Sequence, residues 1–347
     1  MKNNLRTLVL LIVLFLFGGI LFYSNILYYP VSCNTDNFIL NINSDLTASD
    51  VATLLEKKKC VNATLFKLVI YTTFNQKNIK PGLYSLKGIR TLQDLVKLIT
   101  SISKDRRSIT IFEGWNINDI AESLSASLNI NKNKFISLCH NSAYINSLGI
   151  NYEIQSLEGF LYPDTYIFLN TYNEKDIIKI LTKRFMDVYN VNISSLSLDT
   201  ELNVLEIITL ASIIQGEARL VDEMPIISSV YHNRINKRMK LEADPTILYY
   251  MKPEDLKTFK KFAGKIESAR IFKKYKKNSN PYNTYLNYGL PIGPINNPSL
   301  KALEAAINPD ISDTEYLYFV ADGTGGHIFS KSLKEHKKAI RQIKHGY

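Results

Sequence analysis

The chain has 347 residues, with 42 Lys and Arg against 32 Asp and Glu, 46% apolar and 21% charged side chains. That composition excludes a disordered chain, a collagen and a disulfide miniprotein, and the length suits two domains of roughly 100–200 residues each. Three cysteines, at 33, 60 and 139, allow at most one disulfide, and the histidines at 140, 232, 327, 336 and 345 show no paired metal-ligand spacing. No metal and no cofactor are therefore expected.

From Thr7 to Thr35 no residue is charged, and Leu8 to Phe22 is almost solidly Leu, Ile, Val and Phe. About 20 such residues span a hydrocarbon core, so residues 7–29 are predicted as a single transmembrane helix. Lys2 and Arg6 precede it and the next basic residue is Lys57, which places residues 1–6 in the cytoplasm and the body outside. Tyr23, Tyr28 and Tyr29 suit an interfacial aromatic belt. A cleaved signal peptide is the competing reading; against it stand the length of the run and the lack of a small-residue cleavage site. Pro30, Val31 and Ser32 lack the leucine of a lipidation motif, so Cys33 reads as an ordinary thiol.

Without Lys2 and Arg6 the body still carries a net charge of +8. Outside a cytoplasmic membrane the abundant anions are lipid headgroups and carboxylate-bearing wall glycan, and no nucleic acid partner is expected. The basic residues are dispersed, and a solvated surface accounts for most of them.

Residues 37–145 read as short strands alternating with amphipathic helices. Phe38-Ile-Leu-Asn-Ile followed by Ala48-Ser-Asp-Val-Ala-Thr-Leu-Leu parallels Ser108-Ile-Thr-Ile-Phe followed by Ile117-Asn-Asp-Ile-Ala-Glu-Ser-Leu. In each, a period-2 strand leads into a helix, which makes a weak internal repeat. Pro81-Gly82 reads as a turn feeding a strand, and Thr91 as the cap of a further helix. Small βα modules of this kind resemble LysM-like wall-binding units; a structural spacer fits equally well.

Ser156 to Tyr166 is not helical, because Gly159 and Pro163 interrupt it. Glu158 and Asp164 sit there among Phe160, Tyr162 and Tyr166. Aromatics with a few acceptors suit a carbohydrate, and a buried turn with a satisfied acid suits the pattern as well.

Asn203 to Leu220 reads as a strongly apolar helix, with Glu217 continuing the stripe of Leu210, Ile213 and Ile214. Burial and the negative end of the helix dipole both disfavour ionisation there, which raises the carboxyl pKa as a general acid requires. Gly216 leaves room for a ligand or another backbone. Alternatively Glu217 pairs with Arg219 or Arg234. A helix over Pro225–Lys237 follows, then Asp244-Pro245-Thr246, the Pro- and Gly-rich loop Gly289 to Pro298, and two short apolar runs about Gly323–Gly326 that read as a β-hairpin.

Taken together these residues resemble the endolytic murein transglycosylases, the MltG or YceG-like family. The matches are Leu157-Glu-Gly-Phe-Leu-Tyr-Pro-Asp-Thr-Tyr166, Ala211-Ser-Ile-Ile-x-x-Glu217, Asn233-Arg234, Asp244-Pro245-Thr246, Tyr282-Asn-Thr-Tyr285, Gly289-Leu-Pro-x-Gly-Pro-Ile and Tyr316-Leu-Tyr-Phe-Val-Ala-Asp-Gly, collinear along the chain. The resemblance implies an α+β protein: a single N-terminal transmembrane helix, a LysM-like region at 37–145 and a catalytic domain at 146–347. It implies a lyase that cuts between N-acetylmuramic acid and N-acetylglucosamine in nascent peptidoglycan, leaving 1,6-anhydro ends. The enzyme would be single-pass in the cytoplasmic membrane, with peptidoglycan synthases as possible partners.

By motif, Glu217 matches the family's catalytic acid. Many members carry a second acid two residues earlier, where this chain has Gln215. Glu158, Asp164, Asn233, Arg234, Asp244, Tyr282, Asn283 and His327 are candidates for shaping the sugar cleft. Arg234 suits either a substrate carboxylate or an ion pair with Asp244. The rival functions are a non-catalytic wall-binding scaffold and a muramidase-type hydrolase, which needs a second carboxylate such as Asp164 or Asp244.

Overall fold

The computed structural model describes residues 2–33, 39–42, 46–80, 82–86, 88–100, 106–150, 152–170, 172–194, 201–310 and 315–345. Phe38 and Pro81, read above as a strand start and a turn, lie outside them. Helices and strands are mixed, as the α+β expectation requires, and the chain divides into two compact units. The first comprises residues 1–109 and 165–172, and the second residues 110–164 and 173–347.

The first unit begins with α1 (Lys2–Leu27). Its segment Leu10–Leu27, of mean hydropathy 2.4, is long and apolar enough to cross a membrane, and little of it is covered by protein. Then come β1 (Ile39–Ile42), α2 (Ala48–Lys57), α3 (Ala63–Thr72), β2 (Gly82–Ser85), α4 (Leu92–Thr100), β3 (Arg106–Thr110) and, returning later in the chain, β4 (Thr165–Leu169). One sheet of order β1-β2-β4-β3 results. β1 runs antiparallel to β2 with Ile39 opposite Ser85, and β2 runs parallel to β4 with Leu83 opposite Tyr166. Leu40, Tyr84, Val51, Leu55, Phe66, Leu92 and Leu95 form its core. Cys33 is not the free thiol expected from its flanks: it is disulfide-bonded to Cys60. Sequence separation hides such a pair, because only the approach of the segment after α1 to the end of α2 brings the two sulfurs together.

The second unit is mostly helical. It contains α5 (Ile117–Ser127), α6 (Lys132–Cys139), α7 (Ser142–Asn146), α8 (Glu174–Asn192), α9 (Val204–Glu217), α10 (Met224–Asn236), α11 (Asp244–Tyr249), α12 (Pro253–Lys261), α13 (Ile266–Lys276), α14 (Leu300–Ile307) and α15 (Leu333–His345). A hairpin of β5 (Tyr318–Ala321) and β6 (His327–Ser330) precedes α15, with Ala321 opposite His327. Asp322 closes its turn, Oδ1 accepting from the N–H groups of Thr324, Gly325 and Gly326.

Four helix starts share one chemical device. Thr47, Asn116, Asn173 and Asn203 each accept from the N3 backbone, while an N3 acid (Asp50, Asp119, Asp176, Glu206) accepts from the cap's own N–H. Such reciprocal caps satisfy donors that the first turn leaves unpaired. α9 is the centre of the unit, with every residue from Ile207 to Ile214 buried. An all-round apolar helix needs neighbours on every side, and α10, α11 and α14 pack around it. Its polar residues are used internally: Ser212 Oγ accepts from Ile295 N–H at 3.0 Å, and its carbonyl accepts from Asn296 Nδ2 at 2.8 Å.

Candidate active site

α9 ends at Glu217, and beside that end lies a cleft of about 410 Å³. Its walls come from α10 (Tyr231, Arg234), the start of α11 (Asp244), Tyr285, the β5–β6 hairpin (Phe319, His327) and α15 (His336). Glu217 is half-buried, opening onto the cleft while protein surrounds it elsewhere. Burial, and then the Asp244 carboxylate, push its pKa up to about 8. Opposing them, Tyr231 Oη donates to Glu217 Oε1 at 2.9 Å, the Asp244 backbone hydrogen-bonds it, and Arg234 lies within electrostatic reach. A carboxyl held protonated to near pH 8 beside a cleft is equipped to give up a proton to a bound oxygen.

Gly216 explains how α11 comes so close. A Cβ at this position would lie 2.8 Å from Pro245 Cβ, so only glycine lets the Asp244-Pro245 corner pack against the last turn of α9. Asp244 opens on the cleft, and crowding by its walls raises its pKa despite a hydrogen bond donated to Oδ1 by Tyr285. His327 is oriented by Glu223, whose Oε1 accepts from the His327 N–H at 2.9 Å while Oε2 lies 2.7 Å from Nδ1. His327 is itself part of the cleft wall.

Of the nine residues singled out from the sequence, four line this cleft: Glu217, Arg234, Asp244 and His327. Arg234 is buried and committed to the fold. Its Nε donates to the Leu317 carbonyl at 2.7 Å, Nη1 donates to Lys240 and Leu241, and its carboxylate neighbour is Glu242 at 3.6 Å rather than Asp244. Neither arginine proposed as a partner of Glu217 appears in an ion pair with it among the described residues.

The other five lie away from the lining. Glu158 is buried beneath the start of α5, where Ile117 N–H and Asn297 Nδ2 donate to it at 3.2 Å. Burial raises its pKa to about 8 against those bonds and one from Tyr249. Asp164 forms a double contact with Arg184, 3.0 Å from Nε and 2.9 Å from Nη2. Asn233 Nδ2 donates to the Tyr316 carbonyl at 3.0 Å, tying α10 to the segment just before the hairpin. Asn283 is fully buried, and its Nδ2 donates to the last carbonyls of α13 and to Asn278. Tyr282 packs against Tyr249, ring centroids 4.8 Å apart.

Tyr231, Glu223, Tyr285 and His336 belong to the site without having been singled out. Tyr231 occurs in the apolar stripe of α10, and the one available clue was that a buried phenol needs a partner. Tyr285 closes the Tyr282-Asn-Thr-Tyr285 motif; Glu223 carries no signal at all. Gln215 accepts from Ser299 N–H at 3.0 Å and so helps start α14. Among the described residues no cluster of His, Cys, Asp and Glu is arranged to hold a metal ion.

A model of the YceG-like family matches residues 40–342. An endolytic murein transglycosylase of Bacillus subtilis is 31% identical over 340 residues, spanning 93% of this chain and 89% of that protein. Endolytic murein transglycosylases from two Streptococcus pneumoniae strains are 26% identical over 94% of this chain, which spans 62% of their length. The crystal structure of a yceG-like protein from Listeria monocytogenes is similar with a TM-score of 0.57 and 29% identity, over 87% of this chain and 98% of that one.

Proposed function

We propose, because this chain belongs to the YceG-like family, that it is a membrane-anchored lytic transglycosylase cutting within peptidoglycan glycan strands, with Glu217 as its general acid and base. The observation that carries the reading is a single carboxyl, raised to about pKa 8, opening onto the cleft at the end of α9. Protonated Glu217 gives its proton to the oxygen linking C1 of N-acetylmuramic acid to N-acetylglucosamine, and the C1–O bond breaks. The resulting carboxylate then takes the proton of the C6 hydroxyl as O6 bonds to C1. A 1,6-anhydro ring closes, the acid is regenerated and no water is consumed.

One group performs both proton transfers because they occur in sequence. A hydrolase instead needs a second carboxylate about 5–9.5 Å away to attack or to activate water. Asp244 shares the cleft, so that rival is a concrete one. In the transglycosylase reading Asp244 offers charge to the developing cation at C1, while His327 and Tyr285 bind sugar hydroxyls. The residues outside the lining hold the walls.

Residues 1–6 would face the cytoplasm, 7–29 span the membrane, 37–145 act as a LysM-like region and 146–347 carry catalysis. The Cys33–Cys60 disulfide supports an oxidising compartment for the body. Tethering by α1 raises the effective concentration of enzyme at strands still held by membrane-bound synthases.

The test uses the full chain in detergent with purified glycan strands, followed by mass spectrometry of the products. Internal cuts ending in 1,6-anhydro sugars, absent with Glu217→Gln, are the expected result. Reducing ends would assign a hydrolase, and intact strands beside an active control lyase would assign a scaffold.

A further inference from the structure

Trp115 is the chain's one tryptophan, and it stands on the turn leading into α5. Its ring meets that of Phe112 edge to face, centroids 5.2 Å apart. Phe112 is 53% exposed and Trp115 half-buried. The two rings together present an aromatic pair at the surface of this unit.

The turn is wired to the end of the catalytic helix. Gly114 N–H donates to the Asn297 carbonyl at 2.9 Å, and the Trp115 carbonyl accepts from both Asn297 N–H and Nδ2 at 2.9 Å. A Cβ on Gly114 would lie 3.6 Å from Gln215 Cγ. The preceding Asn296 packs against Gly216, is 6% exposed, and has an Oδ1 without a hydrogen-bond partner among the described residues. Gly216 is itself exposed, and on its far side touches Pro245, whose neighbour Asp244 lines the cleft. A chain of contacts thus joins Asp244, through Pro245 and the exposed backbone at Gly216, to the buried Asn296 and Asn297 and on to Trp115.

We propose that Phe112 and Trp115 form a distal sugar platform, binding a pyranose of the glycan strand several units from the bond cut at Glu217. The proposal rests on the glycan-cutting reading of the cleft. A volume of about 410 Å³ lies near the lower end for small-molecule sites, room for few rings, whereas a cut inside a strand needs grip on sugars well away from the scissile bond. Pyranose rings carry an apolar C–H face that packs on aromatic rings. Gly216, exposed and without a side chain, stands in that chain of contacts between the platform and the cleft. The platform acts in binding and register, and takes no part in proton transfer.

Trp115 supplies its own readout, since all tryptophan emission comes from this site. In the full chain carrying Glu217→Gln, to prevent turnover, titration with long uncrosslinked glycan strands should shift or quench that emission saturably, and a disaccharide should not. Phe112→Ala should weaken the response roughly three- to tenfold. In the otherwise wild-type enzyme Trp115→Ala should raise KM for long strands by a similar factor at unchanged melting temperature, and Trp115→Phe should recover most of it. Cleavage of long strands with silent Trp115 emission and an unaltered KM in Trp115→Ala would overturn the platform while leaving the reaction intact. A saturable response with no cleavage by the wild type would keep the platform and remove the lyase. Neither response nor cleavage would remove both.

Discussion

Glu158 and Glu217 are the same side chain in the same unit, and burial lifts both to about pKa 8. What differs is where their oxygens face. Glu158 is enclosed, 2% exposed, with donors from Ile117, Asn297 and Tyr249 converging on it, so its lone pairs are spent on starting α5 and holding the 289–298 loop. Glu217 receives Tyr231 on one oxygen and opens onto a cleft. A raised pKa therefore marks both a structural acid and a proposed catalytic one, and access separates them.

The comparison breaks most sharply on activity. Glu217→Gln should lower the rate of anhydro-end formation by about 10²–10⁴-fold at a nearly unchanged melting temperature, because the amide keeps the shape and loses the proton. If Glu158→Gln did the same to the rate without affecting folding, the roles assigned to the two acids would have to be exchanged.

Next in size is Gly216→Ala. Alanine favours the helix by about 1 kcal/mol. The added Cβ, however, would sit 2.8 Å from Pro245 Cβ, and relieving that overlap costs about 1–3 kcal/mol. The displaced Asp244-Pro245 corner then moves away from Glu217, and kcat should fall roughly ten- to a hundredfold with little loss of fold.

Glu158→Ala should act on stability instead. It orphans the Ile117 N–H and one N–H of the Asn297 amide, whose Nδ2 keeps its bond to the Trp115 carbonyl; each buried donor left unpaired costs about 1–3 kcal/mol. The melting temperature of the second unit should drop by roughly 2–4 °C per kcal/mol, read by calorimetry. Activity per folded molecule should suffer less than in Glu217→Gln.

The smallest effect concerns pH. A carboxyl whose folded pKa is raised from 4.5 to about 8 holds a proton that the unfolded chain releases, so it makes stability decline as pH rises between those values and level off above. Glu217→Gln should flatten part of that decline, measured as unfolding midpoints from pH 5 to 9, and should also abolish the alkaline fall in activity that deprotonation of the acid produces.

Much of this was legible one residue at a time. The uncharged run before Thr35, the apolar face ending at Glu217, and the turn at Gly323–Gly326 between two apolar runs are local patterns whose periods match α1, α9 and the β5–β6 hairpin. The pairing of Cys33 with Cys60, by contrast, needs two segments to meet. So does the division of labour among acids, since Glu158 and Asp164 share one motif with Tyr162 and yet are spent on Ile117 and Arg184.

What the sequence determined alone was chemistry that neighbours along the chain decide: a membrane-length helix, reciprocal caps, an apolar α9 ending in an acid, and a family's ordered motifs. What only the tertiary structure decided was which acid has access. A carboxylate's role depends on donors and openings brought from distant segments, Tyr231 and Asp244 for Glu217, Asn297 for Glu158, and no spacing along the chain encodes which of them arrive.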